Sequence, residues 1–158
     1  MSHVLKRDLS VRRAIAVSGC GKAAAARTRL DAPRVLLVDD DASVRMVCAV
    51  NLGLLGVEVL EAGDGAQGFA LARRECPNLV VLDVSMPGLD GFQVAEMLRG
   101  HRTTRCIPFM FLSGEVDNEV LARDLGAFAY MTKPFDPIAL AALIAEALES
   151  SCAEAVRA

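Results

Sequence analysis

The hydrophobic pattern from Pro33 onward alternates short apolar runs with longer amphipathic stretches. The apolar runs predict five strands, near residues 35–38, 58–61, 79–82, 109–112 and 128–131. The amphipathic stretches predict helices near 42–55, 65–75, 91–99, 116–125 and 137–150. Continuously apolar strands are typical of a parallel sheet that helices cover on both faces. Five successive βα units therefore predict an α/β fold with a five-stranded, doubly wound parallel sheet.

Residues that cap helices agree with this division. Asp41 or Ser43 can cap the first predicted helix, and Asp90 followed by Gly91 can open the third. Gly126 is suited to closing the fourth helix, and Pro137 is tolerated in the first turn of the fifth.

Residues 1–32 lack this periodicity and differ in charge. Seven Lys/Arg against two Asp give residues 1–33 a net charge of +5, which leaves −8 for the rest of a chain whose total is −3. We predict a basic leader over 1–32 that is disordered or only partly helical, a domain over 33–150 and a C-terminal tail over 151–158. The leader has little to bury, so the domain is expected to fold without it.

Cysteine spacing and hydropathy bear on location. The five cysteines are far apart, which indicates free thiols in a reducing compartment. No apolar run approaches the roughly 18 residues that a membrane-spanning helix needs. Both observations favour a cytoplasmic protein without a membrane partner.

Polar side chains follow four of the five predicted strands. Asp39 and Asp40 follow the first, Asp83 the third, Ser113 the fourth and Lys133 the fifth. Each has an ordinary explanation as a turn former, a helix cap or a solvated surface residue. Ligands of open parallel sheets bind beyond the carboxyl ends of the strands. Because all these residues converge on that edge, we favour a functional site.

Phosphoryl transfer to a carboxylate uses this set of groups. Asp40 and Asp83 can hold Mg²⁺, a cation that prefers oxygen ligands and offsets the repulsion between carboxylates. Lys133 offers a second positive charge to phosphate oxygens, and Ser113 offers a hydrogen bond. Asp41 is left as a helix cap.

Four segments, "LLVDDD", "VVLDVSMPGLDGF", "FLSGE" and "YMTKPF", occur in this order. Together they resemble the receiver domain of bacterial two-component response regulators, over residues 33–150. The resemblance is to the stand-alone, chemotaxis-regulator-like form, and it implies the flavodoxin-like strand order 2-1-3-4-5. It also implies a phosphorylation-activated signalling switch that catalyses its own phosphoryl transfer and slow autodephosphorylation, without being a conventional enzyme.

The resemblance assigns the acceptor and the metal ligands. Asp83 would receive the phosphoryl group from a sensor histidine kinase or a phosphotransfer protein. Asp40, Asp83 and the main-chain carbonyl of Ser85 would ligate Mg²⁺ or Mn²⁺, and Asp39 would act mainly through water. Ser85 stands where the family often has Asn, a departure that bears on the lifetime of the phosphoryl group.

The resemblance also assigns a switch. Ser113, where Thr is commoner, would be the switch hydroxyl, and Lys133 the phosphate-binding lysine. Tyr130 would be the aromatic that turns inward on activation, and the bond between Lys133 and Pro134 would be cis.

Other functions fit less well. A haloacid-dehalogenase-like phosphohydrolase needs a second Asp two residues after its nucleophile, where this chain has Ser85. A flavin-binding fold needs a phosphate loop after the first strand, where three Asp would repel phosphate. Direct DNA binding through the basic leader is not favoured, because no helix-turn-helix segment follows residue 150. A phosphorelay intermediate or phosphate sink without its own output stays open.

The chain ends shortly after the fifth predicted helix, so output is expected to pass through a partner protein or a second copy. The surface expected for that contact is formed by the fourth helix, the fifth strand and the fifth helix. In the fifth helix, the residues predicted to cover the sheet are Ile138, Leu140, Leu143, Ile144, Ala147 and Leu148. The face predicted to remain exposed consists of Ala141, Ala142, Ala145, Glu146 and Glu149.

Overall fold

The computed structural model describes residues 4–6 and 32–157, with the backbone alone for 4–6 and 152–157. The strands are β1 Val4–Lys6, β2 Arg34–Val38, β3 Glu58–Ala62, β4 Leu79–Asp83, β5 Phe109–Ser113 and β6 Ala129–Thr132. The helices are α1 Ala42–Gly53, α2 Gly65–Glu75, α3 Gly91–Gly100, α4 Glu119–Asp124 and α5 Pro137–Arg157.

The strands form one sheet in the order β1-β6-β5-β4-β2-β3. Strands β2 to β6 pair in parallel, and they correspond in chain order to the five predicted strands. Their spatial order is therefore the predicted 2-1-3-4-5, and the prediction of a doubly wound parallel sheet is confirmed.

Alternate residues of the central strands pack on opposite faces of the sheet. Leu36, Val80 and Phe111 belong to the core on the side of α2, α3 and α4. Their neighbours in the strands, such as Leu37 and Val81, belong to the core beneath α1 and α5. Because both faces are covered, β4 and β5 are buried along their whole length, as the continuous apolar runs predicted.

The predicted caps of α1 and α3 are present. The Asp41 carboxylate accepts a hydrogen bond from the Ser43 N–H at 2.8 Å and so satisfies a free donor in the first turn of α1. Asp90 and Gln93 form a reciprocal capping box at the start of α3. Gly126, which follows α4, adopts a φ of +81° that favours glycine.

Strand β1 differs from the sequence prediction. Val4–Lys6 lies within the predicted leader, yet it pairs antiparallel with β6 at the edge of the sheet. Three residues are too few to show a hydrophobic period, so the sequence pattern gives no sign of this strand. Most of the predicted leader, residues 1–3 and 7–31, lies outside the described residues, and its predicted disorder stays a prediction.

Helix α5 corrects two further predictions. It continues to Arg157, beyond the predicted end at residue 150, and the Ser150 and Ser151 hydroxyls donate within it to carbonyls four residues earlier. Ile138 was assigned to the sheet-covering face but is 73% exposed, and Ala141 was assigned to the open face but is buried. Two residues turn a helix by about 200°, so Ile138 points away from the buried Leu140.

In the part of the chain that is described, Cys48, Cys76 and Cys106 are free thiols. The described helices include none with the length and apolar character needed to cross a lipid bilayer.

Candidate functional site

The carboxyl ends of three strands bring a lysine between two buried carboxylates. Asp39 follows β2, Asp83 ends β4 and Lys133 follows β6. Lys133 Nζ lies 2.8 Å from Asp39 Oδ2 and 3.3 Å from Asp83 Oδ1, while both carboxylates are almost completely buried. A residue 94 positions away from Asp39 thus completes the pocket, as expected for the edge of an open parallel sheet.

Asp40 adds a third carboxylate to this pocket. One oxygen from each of Asp39, Asp40 and Asp83 lies within 4.8 Å of the others, and Asp40 alone is exposed to solvent. Three converging carboxylates that include one open to water suit a hard divalent cation, which keeps part of its hydration shell. Ser85 is exposed in the loop after β4, and the role of its carbonyl as a ligand stays a prediction.

Backbone groups and an arginine hold Asp39 in place. Its Oδ1 accepts a hydrogen bond from the Asp41 N–H at 2.9 Å, and its main-chain carbonyl accepts one from Arg45 at 2.6 Å. Arg45 also contacts Glu61 at 3.4 Å. The sequence analysis missed Arg45, although it is the one charged residue between Ala42 and Gly53 and lies one helical turn after Asp41.

Burial and the neighbouring charges shift the pKa values of Asp83 and Lys133. Burial, followed by the charge of Asp39, raises the pKa of Asp83 to about 6, although Lys133 opposes the shift. Burial lowers the pKa of Lys133, but hydrogen bonds and attraction from Asp39 and Asp83 outweigh it, and the net pKa is raised. Lys133 is therefore charged at neutral pH and partly compensates the two carboxylates.

Ser113 and Tyr130 lie next to this pocket and share a contact at Glu115. Ser113 is buried at the end of β5, and its hydroxyl oxygen accepts a hydrogen bond from the Glu115 N–H at 3.0 Å. The Tyr130 side chain is buried, and its hydroxyl donates to the Glu115 carbonyl. Burial is the main cause that raises the pKa of Tyr130. Glu115 was not singled out from the sequence, since its main-chain groups make these contacts.

The peptide bond between Lys133 and Pro134 is cis, as predicted. The Lys133 N–H donates to the Ser113 carbonyl at 2.6 Å, which ties the end of β6 to the end of β5. The structure thus brings Asp39, Asp40, Asp83 and Lys133 into one pocket and places Ser113 on the neighbouring strand.

Comparison with protein families gives the decisive match. The model of the response regulator receiver domain matches residues 35–145. The chain belongs to this family. The receiver domain is a phosphorylation-dependent signalling switch that binds Mg²⁺ at an acidic pocket, and the described residues include one acidic cluster, formed by Asp39, Asp40 and Asp83.

Curated relatives of this receiver domain are larger proteins. The "DNA-binding dual master transcriptional regulator RpaA" of Synechocystis is 40% identical over 106 residues, which cover 66% of this chain and 44% of that protein. The "alkaline phosphatase synthesis transcriptional regulatory protein PhoP" of Bacillus subtilis is 39% identical over 104 residues, 66% of this chain and 43% of PhoP. The chain spans less than half the length of these relatives. The DNA binding in the name of RpaA refers to RpaA itself.

Solved receiver structures are similar over their whole length. The chemotaxis protein CheY4 of Vibrio cholerae has a TM-score of 0.69 at 28% identity, covering 74% of this chain and 99% of CheY4. A CheY-like receiver from Methanospirillum hungatei has a TM-score of 0.72 at 28% identity, covering 78% of this chain and 99% of that structure. These matches agree with the strand order of β2 to β6.

Proposed function

We propose that Asp83 is the residue of this receiver domain that accepts a phosphoryl group, from a histidine kinase or a phosphotransfer protein. One contrast in the pocket supports this choice. Asp39 has both oxygens engaged, Oδ1 by the Asp41 N–H and Oδ2 by Lys133. Among the contacts of the described residues, Asp83 is contacted at Oδ1 alone.

The transfer joins an Asp83 carboxylate oxygen to phosphorus as the bond from phosphorus to the donor's imidazole nitrogen breaks, and the product is an acyl phosphate. The acceptor must be ionised, and a pKa of about 6 leaves it mostly ionised at neutral pH. Lys133 lies within reach of this carboxylate and is positioned to bind the incoming phosphoryl oxygens. The Ser113 hydroxyl oxygen accepts a hydrogen bond from the Glu115 N–H, and the hydroxyl is proposed to donate its own hydrogen to a phosphoryl oxygen while it keeps that contact.

Mg²⁺ or Mn²⁺ fits the donor set, with Asp40, Asp83 and the Ser85 carbonyl as proposed ligands and Asp39 acting through water. When bound, the cation would offset the carboxylate charges and the charge of the phosphoryl group. Phosphoryl-transfer sites work largely by positioning and electrostatics, which this pocket supplies without a further catalytic base. Water attack on the acyl phosphate would give the slow autodephosphorylation implied by the family.

Labelling with acetyl phosphate tests this proposal. The unaltered chain should gain one phosphoryl group in the presence of Mg²⁺, as measured by intact mass. Asp83→Asn should abolish the gain, whereas Asp124→Asn, which changes an exposed aspartate at the end of α4, should keep it. Asp40→Ala should remove the dependence on Mg²⁺ together with most of the labelling. Full labelling of Asp83→Asn would contradict the assignment of the acceptor.

We also propose that the α4–β6–α5 face carries the output, toward a protein partner or a second copy of the chain. Three exposed apolar side chains support it: Val120 in α4, and Ile138 and Ala142 in α5. Strand β1 borders this face because it pairs with β6. A partner at this face therefore meets α4, α5 and β1 rather than a free edge of β6.

A further inference from the structure

Strand β1 covers what would otherwise be an open sheet edge. Its three residues pair with β6 in the register Val4 to Met131, Leu5 to Tyr130 and Lys6 to Ala129. The four residues of β6 are buried and none of them is charged, so no charged side chain of the strand protects its outer edge. An uncovered apolar edge strand is a template for pairing with another chain. The N-terminal strand fills this place within the chain itself.

The favourable and unfavourable contributions to docking of β1 on β6 are of similar size. A backbone hydrogen bond contributes about 0.5–1.5 kcal/mol net. Ordering the backbone of one residue costs about 1–2 kcal/mol. A strand of three residues therefore docks with a free energy near zero, and a modest change in the geometry of β6 is enough to strengthen or weaken it.

Strand β6 connects β1 to the phosphorylation pocket by short contacts. Tyr130, opposite Leu5, donates its hydroxyl to the Glu115 carbonyl, and the Glu115 N–H donates to the Ser113 hydroxyl oxygen at 3.0 Å. Lys133 directly follows β6 and contacts both Asp39 and Asp83. The strand that β1 pairs with thus carries one side chain bound to the loop after β5 and ends at the lysine of the pocket.

We propose that Val4–Lys6 is a regulatory strand whose docking on β6 and phosphorylation of the pocket stabilise each other. Docking fixes the backbone at Tyr130, and in the docked structure Tyr130 is inward and holds the loop that carries Glu115 next to Ser113. A phosphoryl group engaging Ser113 and Lys133 would in turn fix both ends of the same network. Linkage makes the effect reciprocal: if docking tightens binding of a phosphoryl group, the bound group tightens docking by the same factor. This inference rests on the proposed role of Asp83.

Amide hydrogen exchange of the full chain measures docking directly. Beryllium fluoride with Mg²⁺ is the probe, because it forms a phosphoryl-like adduct on a carboxylate. A coupling of about fivefold, at the lower end of typical allosteric couplings, acts on a strand that is docked about half of the time and should slow exchange at the β6 amides that face β1 by about threefold when the probe binds. Unchanged or faster exchange there, with the probe bound, would overturn the proposal.

Proline variants in β1 provide a matched series. Backbone N–H groups of an antiparallel strand point alternately toward and away from the partner. Proline removes an N–H and is tolerated on a sheet edge only where that group faces away. Val4→Pro and Lys6→Pro should therefore behave alike, and Leu5→Pro should behave oppositely. The class that undocks should show faster exchange in β6 and about threefold weaker affinity for beryllium fluoride, and the other class should match the unaltered chain.

The outcomes separate this inference from the proposed function. Faster exchange in β6 with unchanged affinity for the probe would show docking without coupling and would overturn the inference. No difference between the two classes of variant would overturn docking itself. Failure of the unaltered chain to bind the probe would instead count against the role of Asp83, and the inference would fall with it.

Discussion

The Asp83 carboxylate lies in a buried pocket beside a second carboxylate, and both conditions disfavour its ionised form. Its pKa of about 6 in the folded protein exceeds the ordinary value of 3.8. The folded state therefore binds this proton more tightly than the unfolded chain does. The resulting stability is full below the ordinary pKa and is lost as the pH rises through about 6.

Asp83→Asn should remove this dependence, because an amide does not ionise. Without divalent cations, the free energy of unfolding of the variant should exceed that of the unaltered chain by about 2 kcal/mol more at about pH 7.5 than at about pH 4. Urea denaturation at the two pH values measures the difference. Excess Mg²⁺ should stabilise the unaltered chain at the higher pH and affect the variant less. A difference between the two proteins that is independent of pH would contradict the assigned pKa shift.

Residue roles could be predicted where a strand end locates the side chain. Asp39, Asp40, Asp83 and Lys133 all follow or end apolar runs, and the topology then brings them to one edge. Contacts of main-chain groups, such as those of Glu115, leave no trace in side-chain chemistry and were not predictable. The fully engaged state of Asp39 was not predictable either, because it depends on distances within one pocket.

At the scale of elements, the start of α3 lies directly against the end of β4. A Cβ atom built on Gly91 would lie 2.3 Å from the Asp83 carbonyl oxygen, so any side chain there must push helix and strand apart. The glycine thus permits the close approach of α3 to β4 at Asp83, the proposed acceptor. At the other end of α3, a Cβ atom on Gly100 would meet nothing within 4 Å.

These two glycines offer a matched pair of alanine variants. Gly91→Ala should lower the free energy of unfolding by about 2–4 kcal/mol and reduce labelling of Asp83, because the backbone that bears the acceptor shifts. Gly100→Ala should leave labelling intact and change stability by no more than about 1 kcal/mol. Urea denaturation and intact mass measure both effects. Equal stability of the two variants would show that α3 can move away from β4 at little cost.

Elements with a strong period or a clear cap were predictable, and β2 to β6 with their helices follow the apolar runs. The exceptions have local causes. Strand β1 is too short to show a period of its own, and the predicted end of α5 at residue 150 falls within a helix that continues to Arg157. Ile138 was misassigned because the predicted stripe of six residues included one side chain that lies outside the buried side of α5.

At the scale of the whole molecule, the α4–β6–α5 face lies next to the pocket, because β6 carries Tyr130 and is directly followed by Lys133. A charged side chain buried in a protein interface without a partner is strongly unfavourable. Ala142 is exposed on α5, and Ala70 is an exposed alanine on α2, which covers the opposite face of the sheet. The two positions test whether output depends on this face.

Ala142→Arg should weaken self-association of the phosphorylated chain by at least about tenfold, equivalent to about 1.4 kcal/mol, while labelling of Asp83 is unchanged. Ala70→Arg should leave both properties unchanged. Sedimentation of the chain with beryllium fluoride and Mg²⁺ measures the association. A loss in both variants would indicate a general effect of charge. If the unaltered chain does not self-associate, the partner of this face is a different protein. Binding of that protein should then be lost in Ala142→Arg and kept in Ala70→Arg.

The direction of β1 has a consequence for competition at the sheet edge. Because β1 runs antiparallel to β6, Lys6 pairs with Ala129, the first residue of β6. Strands β2 and β6 run in the same direction, so Lys6 lies at the end of the sheet where β2 begins with Arg34. Because β1 and β6 belong to one chain, docking of β1 is intramolecular and does not depend on protein concentration. A strand from another molecule must first associate, so its occupancy of β6 falls as the protein is diluted. Dilution should therefore favour the chain's own β1 over a strand from a second copy.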